Sequence, residues 1–72
     1  MEFKPGDQVV YIGEINSNWP GIRLRKGVVM HTELAPLLVT NYIYTRLYGF
    51  IPKVDVIKLD GLTNIEKIVY DI

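Results

Sequence analysis

The stretch KPGDQVVYIG, at residues 4–13, begins with a turn signal and continues with a strand signal. Proline restricts φ at the first central position of a turn and glycine accepts a positive φ at the next, so Pro5-Gly6 predicts a turn. Gln8 to Ile12 is rich in β-branched and aromatic residues, and Gly13 closes the run. We therefore predict that a turn leads into the first strand of a β fold.

Beyond this stretch, short proline and glycine signals divide the chain, and polar residues with the Pro20-Gly21 pair predict a long loop at residues 14–21. Four further strands are expected, at residues 22–31, 37–44, 47–51 and 54–59. A strand averages ~5–6 residues, so we divide the segment from 37 to 51 into two strands, with Thr45 and Arg46 as the candidate turn residues between them. The side chains expected in the core are Val9, Tyr11, Val28, Ile43, Leu47, Ile51 and Val56.

The carboxy-terminal segment carries two competing patterns. One pattern predicts a short helix. It consists of a capping box from Thr63 to Glu66 and of aliphatic residues at i, i+3, i+4 and i+7, which are Ile65, Ile68, Val69 and Ile72. The same residues are β-branched and alternate in part, so an extra strand is the alternative. A helix of ~10 residues needs packing to be stable in water. We expect the aliphatic stripe to pack on its own domain, with a partner or a second copy as the alternative.

Length and composition limit the classes of function. The 72 residues, 49% of them hydrophobic, fit one domain with a core at residues 4–60 and an appendage at 61–72. The chain has no cysteine and one histidine, His31, which excludes disulfides, thiolate metal sites and a multi-histidine site. Eight basic and eight acidic side chains give zero net charge, which argues against general binding to nucleic-acid phosphates. No apolar run has the length of a signal peptide or membrane span, so we expect a cytoplasmic protein without membrane contact.

Two motifs make the chain resemble a family of small barrels. Residues 4–13, followed by Lys26-Gly27-Val28-Val29, look like the opening of KOW-type and bacterial Src-homology-3-like barrels, where a Gly-Asp turn precedes the first strand and a Lys-Gly pair the second. Residues 49–56, GFIPKVDV, resemble the closing segment of Src-homology-3 domains, where one helical turn leads into the last strand. The resemblance implies a five-stranded Src-homology-3-like barrel, of the stand-alone type frequent among small bacterial and bacteriophage proteins.

The same resemblance bears on the partner. It places the peptide-groove tyrosine of eukaryotic Src-homology-3 domains at Asp55 and the adjacent asparagine at Val54, so only Pro52 of that groove carries over. Recognition of proline-rich peptides, which needs an aromatic-lined groove, is therefore not expected. The KOW-like opening implies an RNA contact only where the loops are basic, and residues 13–21 contain Glu14 but no lysine or arginine.

Three sets of side chains are candidates for partner binding. Trp19, in the long loop, is either an interface anchor or a lid over an open end of the barrel. A second set occupies alternate positions along the chain, so that on a strand its side chains would face the same side, and consists of Tyr42, Tyr44, Arg46, Tyr48 and Phe50. This aromatic set is either a stacking surface or a series of structural cross-strand pairs. A basic set either contacts phosphates or an acidic protein, or guards a strand edge, and consists of Arg23, Arg25 and Lys26.

Catalytic side chains are few. His31 and Glu33 are separated by one residue, a spacing that on a strand places two side chains on the same face, but no nucleophile, base and orienting group occur together. We therefore predict no enzymatic activity, no metal and no cofactor. The leading hypothesis is a small protein-interaction or regulatory adaptor that binds another protein through its aromatic surface. The alternatives are a nucleic-acid-binding module of weak affinity and a structural subunit of an oligomer.

Overall fold

The computed structural model describes residues 3–14 and 24–72, and this part of the chain is small and mainly β, with two antiparallel sheets and one short α-helix. The strands are β1 (Gln8–Tyr11), β2 (Val29–His31), β3 (Tyr42–Thr45), β4 (Gly49–Pro52) and β5 (Val56–Lys58), and the helix is α1 (Asn64–Val69). Single turns of 3₁₀-helix, Lys53–Asp55 and Leu59–Gly61, flank β5. The predicted mainly β fold class is confirmed.

The two sheets meet at a pair of buried threonines. The first sheet has the order β2-β1-β5, and the second is the antiparallel β3–β4 hairpin. A bridge between Thr32 and Thr45 joins them. The Thr32 hydroxyl donates to backbone carbonyls near the start of β1, and the Thr45 hydroxyl donates to the Gly49 carbonyl at 3.1 Å. Both hydroxyls are therefore satisfied, which removes the free-energy penalty of burying them.

Side chains from every strand named above meet in one hydrophobic cluster, formed by Val9, Tyr11, Leu24, Met30, Ile43, Ile51 and Val56. Five of the seven predicted core residues belong to it, and Val28 is half-buried against it. Val10 is also fully buried, although it lies outside the cluster. The reason is that β1 is a central strand, and the turn Leu59–Gly61 lies against it. Alternation of buried and exposed residues is not expected in a strand covered on both faces.

The turn of the β3–β4 hairpin corrects one core prediction. It comprises residues 46–48 instead of Thr45-Arg46, because the Thr45 side chain lies across it. Thr45 Oγ1 accepts a hydrogen bond from the Tyr48 N–H and donates to the Gly49 carbonyl, each at 3.1 Å. Leu47 therefore lies at the tip of the turn and is 64% exposed. Its placement in the core was wrong.

β2 and β3 are shorter than predicted. Gly27 has a φ of +94°, and the Val28 N–H donates to the Arg25 carbonyl at 3.2 Å, so residues 25–28 form a turn before β2. A positive φ of this size interrupts a strand. The strand predicted at 37–44 begins only at Tyr42, and residues 33–41 form a loop.

The carboxy-terminal segment is a helix, as the capping box predicted. The Thr63 N–H donates to Glu66 Oε1 at 3.0 Å, and the Glu66 N–H donates to Thr63 Oγ1 at 3.1 Å. Leu62, just before the helix, is buried, and Lys67 and Tyr70 are half-buried. The aliphatic stripe faces away from the domain: Ile65, Ile68 and Val69 are 74–76% exposed. The expectation that this stripe packs on its own domain was therefore wrong.

Candidate partner-binding site

The β3–β4 hairpin has one buried face and one aromatic face. Its register places Ile43 opposite Ile51, and both side chains are buried. Side chains alternate between faces along a strand, so the neighbouring pairs face the other way. These pairs are Tyr42 with Pro52 and Tyr44 with Phe50. We call these four residues the aromatic face.

The rings of Tyr44 and Phe50 are in edge-to-face contact, with centroids 5.0 Å apart and an interplanar angle of 60°. This geometry is favourable for aromatic pairs, because the positive ring edge meets the negative ring face. Tyr42 makes no such ring contact among the described residues, and it is 42% exposed. Tyr42 is therefore the ring of the aromatic face that is most available to a partner.

A groove of about 210 Å³ runs beside Tyr42 and Tyr44. It is also lined by residues 3–5 and by the loop at residues 33–41, which contributes Leu34, Ala35 and Val39. Small-molecule pockets usually measure about 300–1,000 Å³. The groove is below that range, and it is large enough for one or two side chains of an extended segment.

Backbone hydrogen bonds hold the loop at both ends. At its start, the Glu33 N–H donates to the Tyr44 carbonyl at 2.8 Å, and at its end the Lys53 N–H donates to the Asn41 carbonyl at 2.9 Å. Between these points Leu34 and Leu38 are 80% and 93% exposed. Sequence reasoning missed this loop as part of the site, because it assigned residues 37–44 to a strand. The signal was available in Pro36 and in the adjacent leucines 37 and 38, which do not alternate with polar residues.

The charged residues around the groove are mostly basic. Lys4 and Lys53 line it, together with one carboxylate, Glu33. The Glu33 Oε1 lies 3.4 Å from the Nε of Arg46, so this carboxylate is partly compensated. Exposed ion pairs of this kind contribute little to stability. The pair matters here for local charge: because Arg46 partly compensates Glu33, the two lysines give the lining of the groove a net positive charge.

The structure separates the predicted aromatic set into two groups. Tyr42, Tyr44 and Phe50 share the aromatic face, whereas Arg46 and Tyr48 lie in the turn beyond it. Arg46 is paired with Glu33, and Tyr48 packs against the hydrophobic cluster. The contiguous surface is therefore smaller than predicted.

The basic set is not adjacent to the aromatic face among the described residues. Arg25 and Lys26 line a different recess, together with Tyr70 and Asp71. Arg23 and Trp19 lie outside the described residues.

The Tyr11 phenol is a titratable group in the hydrophobic cluster. Burial raises the pKa of Tyr11, with smaller contributions from the Asp55 and Glu14 carboxylates, and its hydroxyl donates to the Glu14 carbonyl at 2.8 Å. Within residues 3–14 and 24–72, no three acidic or histidine side chains are grouped to hold a metal ion. No helix in the same ranges is long and apolar enough to span a membrane.

Comparison with known proteins adds no assignment. No protein-family model matches the chain, and neither a curated protein nor a solved structure matches it. Inference about function therefore depends on the geometry described above.

Proposed function

We propose that this chain is a Src-homology-3-like barrel that acts as a small, non-catalytic protein-interaction module. Its binding surface is the aromatic face and the groove beside Tyr42, and its ligand is an extended segment of another protein. The observation that carries the proposal is the exposed Tyr42 ring beside a groove with apolar walls.

The strand order supports the barrel. β1 lies between β2 and β5, and the Thr32–Thr45 bridge connects β2 to the β3–β4 hairpin. The strands thus follow one another in the order β5-β1-β2-β3-β4. A 3₁₀ turn at Lys53–Asp55 joins β4 to β5, which is the connection that the resemblance to Src-homology-3 domains implies.

The chemistry of the groove supports a protein ligand. Tyrosine is enriched at the energetic centres of protein interfaces, because it contributes a large apolar ring and one polar group. Leu34 and Ala35 line the same groove as Tyr42 and Tyr44, and they add aliphatic contact area. The lysines on the rim favour an acidic residue next to the apolar side chain that enters the groove.

The nucleic-acid alternative has less support. A binder of phosphates needs several basic side chains on the surface that carries the stacking rings. Here only two lysines, Lys4 and Lys53, line the groove with Tyr42, whereas Arg46 is paired with Glu33 and Arg25 lines a different recess. The net charge of zero also provides no general attraction for nucleic acid.

The test is affinity capture from a cell lysate with and without nuclease, comparing wild type with Tyr42→Ser and Leu47→Ser. Leu47 is the matched control, because it is an exposed apolar residue at the opposite end of the hairpin. We expect a nuclease-resistant protein partner whose recovery falls at least about tenfold with Tyr42→Ser, as for an interface hot spot, and stays unchanged with Leu47→Ser.

Recovery that disappears with nuclease would favour the nucleic-acid module instead. Equal recovery by wild type and Tyr42→Ser would contradict the proposed surface. Thermal unfolding of each variant shows that the fold is retained, which is expected because both side chains are exposed.

A further inference from the structure

Glu33 is the one carboxylate among the described residues that line the groove, and it also lines a second recess, of about 270 Å³, beside the turn of the β3–β4 hairpin. Arg46 lines the second recess, and the groove lining does not include it. The Arg46 Nε lies 3.4 Å from the Glu33 Oε1. The cation that compensates the carboxylate of the groove therefore lies outside the groove.

The two partners of this ion pair differ in how they are held. The Glu33 N–H donates to the Tyr44 carbonyl at 2.8 Å, and the preceding residue, Thr32, is buried at the bridge between the sheets. The Arg46 side chain is 86% exposed in the turn. The sheet thus fixes the backbone of Glu33 beside the groove, and the net charge that the carboxylate contributes there depends on Arg46.

We propose that the groove selects acidic peptide segments and that the Glu33–Arg46 pair sets how strongly it does so. This rests on the function proposed above and adds the chemistry of the ligand. Lys4 and Lys53 line the groove, so its lining is net positive while Arg46 compensates Glu33. A segment with carboxylates on both sides of an apolar residue complements this lining, because the apolar residue contacts the Tyr42 ring while the carboxylates face the lysines.

The expected effects are those of charges near the surface, since Lys4 is exposed and Lys53 is half-buried. One exposed charge pair changes an affinity by a factor of about 2–5. Lys53→Gln and Arg46→Gln should each weaken the binding of an acidic peptide by about this factor, and Glu33→Gln should strengthen it by about the same factor. In the Glu33→Gln background, Arg46→Gln should change the affinity by less than about twofold, because Arg46 acts through Glu33.

The experiment begins with a selection that assumes no ligand sequence. A random peptide library displayed on phage is panned on the full-length chain and on Tyr42→Ser. We expect peptides that bind wild type but not Tyr42→Ser, and in which aspartate or glutamate flanks an aliphatic or aromatic residue. The most enriched peptide is then the labelled probe for fluorescence anisotropy with each variant, and its affinity for wild type should fall as NaCl rises from about 50 to about 300 mM.

Lys26→Gln is the matched control for the loss of a positive charge. Lys26 is exposed and lines a different recess, with Tyr70 and Asp71, so its removal should change the affinity by less than about twofold. Lys4→Gln gives a second test of the lysines at a fully solvated position, where the substitution leaves the fold unchanged. Far-UV circular dichroism checks that each variant is folded.

The outcomes separate this proposal from the function on which it rests. Selection of no peptide that depends on Tyr42 contradicts the groove itself. Peptides that depend on Tyr42 but carry no excess of acidic residues leave the groove in place and overturn its charge selectivity.

Three results of the binding measurements would also overturn the proposal. Equal losses for Lys53→Gln and Lys26→Gln would mean that net charge alone accounts for the effect. An equal loss for Arg46→Gln with and without Glu33 would remove the role of the pair. A single-stranded oligonucleotide that displaces the probe at the concentration of unlabelled peptide would favour the nucleic-acid module.

Discussion

Replacing Gly27 with alanine tests how the helix is held against the rest of the domain. Gly27 lies in the turn before β2, and its φ is +94°. Gly6, in the turn before β1, has the same φ of +94°. The two glycines differ in their surroundings: a β-carbon at Gly27 would lie 2.8 Å from the Tyr70 carbonyl oxygen, whereas one at Gly6 would have no heavy atom within 4 Å. Gly6→Ala is therefore a matched control for the backbone effect.

The expected magnitudes follow from this difference. An alanine in the left-handed region costs about 1–2 kcal/mol, and this cost applies to both variants. Only Gly27→Ala also forces a backbone carbonyl to move, and overpacking of this kind costs about 1–3 kcal/mol. We therefore expect the free energy of unfolding to fall by about 1–2 kcal/mol for Gly6→Ala and by about 2–5 kcal/mol for Gly27→Ala.

Urea unfolding followed by far-UV circular dichroism measures both values. A chain that ends at Val69 lacks the Tyr70 carbonyl, so in that background the two substitutions should have the same effect. Losses for the two full-length variants that agree within ~0.5 kcal/mol would refute the reasoning, because the approach of Tyr70 to Gly27 would then have no energetic consequence.

Two further predictions use the same urea assay. Leu47→Ala should change the free energy of unfolding by less than ~0.5 kcal/mol, because Leu47 is exposed at a turn. Ile51→Ala should lower it by ~2–5 kcal/mol, because Ile51 is fully buried. A large effect of Leu47→Ala would contradict the observed turn. The pKa of Asp7 lies below its ordinary value of 3.8, first because the Lys4 N–H donates to its carboxylate and then because Lys58 is nearby. A lowered folded-state pKa gives stability that is present above the unfolded value and is lost as the pH falls through the folded value. The free energy of unfolding of Asp7→Asn should therefore fall less than that of wild type as the pH drops below 3.8. An equal fall in the two proteins would exclude this contribution.

The features that the sequence predicted correctly are those set by neighbouring residues. The turn at Pro5-Gly6, the start of β1 and the capping box from Thr63 to Glu66 all depend on side chains within a few positions of one another. Their geometry is local, so spacing alone specifies it. The pairing of Ile43 with Ile51 also follows from hydrophobic parity once a hairpin is assumed.

The errors lie where long-range contacts decide between local alternatives. The segment from 37 to 51 is mostly aliphatic and aromatic, and parity assigned Leu47 to the core. The hydroxyl of Thr45 instead stabilises a turn at residues 46–48, which moves Leu47 to the surface. In the candidate site, the prediction of Tyr42 and Tyr44 on one face agrees with the register, but residues 37–41 of the loop beside the groove were predicted as part of a strand.

The helix shows a limit of a different kind. Periodicity identifies which residues share a face, but it does not state which direction that face points. Here the buried Leu62 and the contact of Tyr70 with Gly27 determine the direction, and the aliphatic stripe faces outward. Neither contact can be inferred from spacing, because each joins α1 or its flanks to distant segments of the chain.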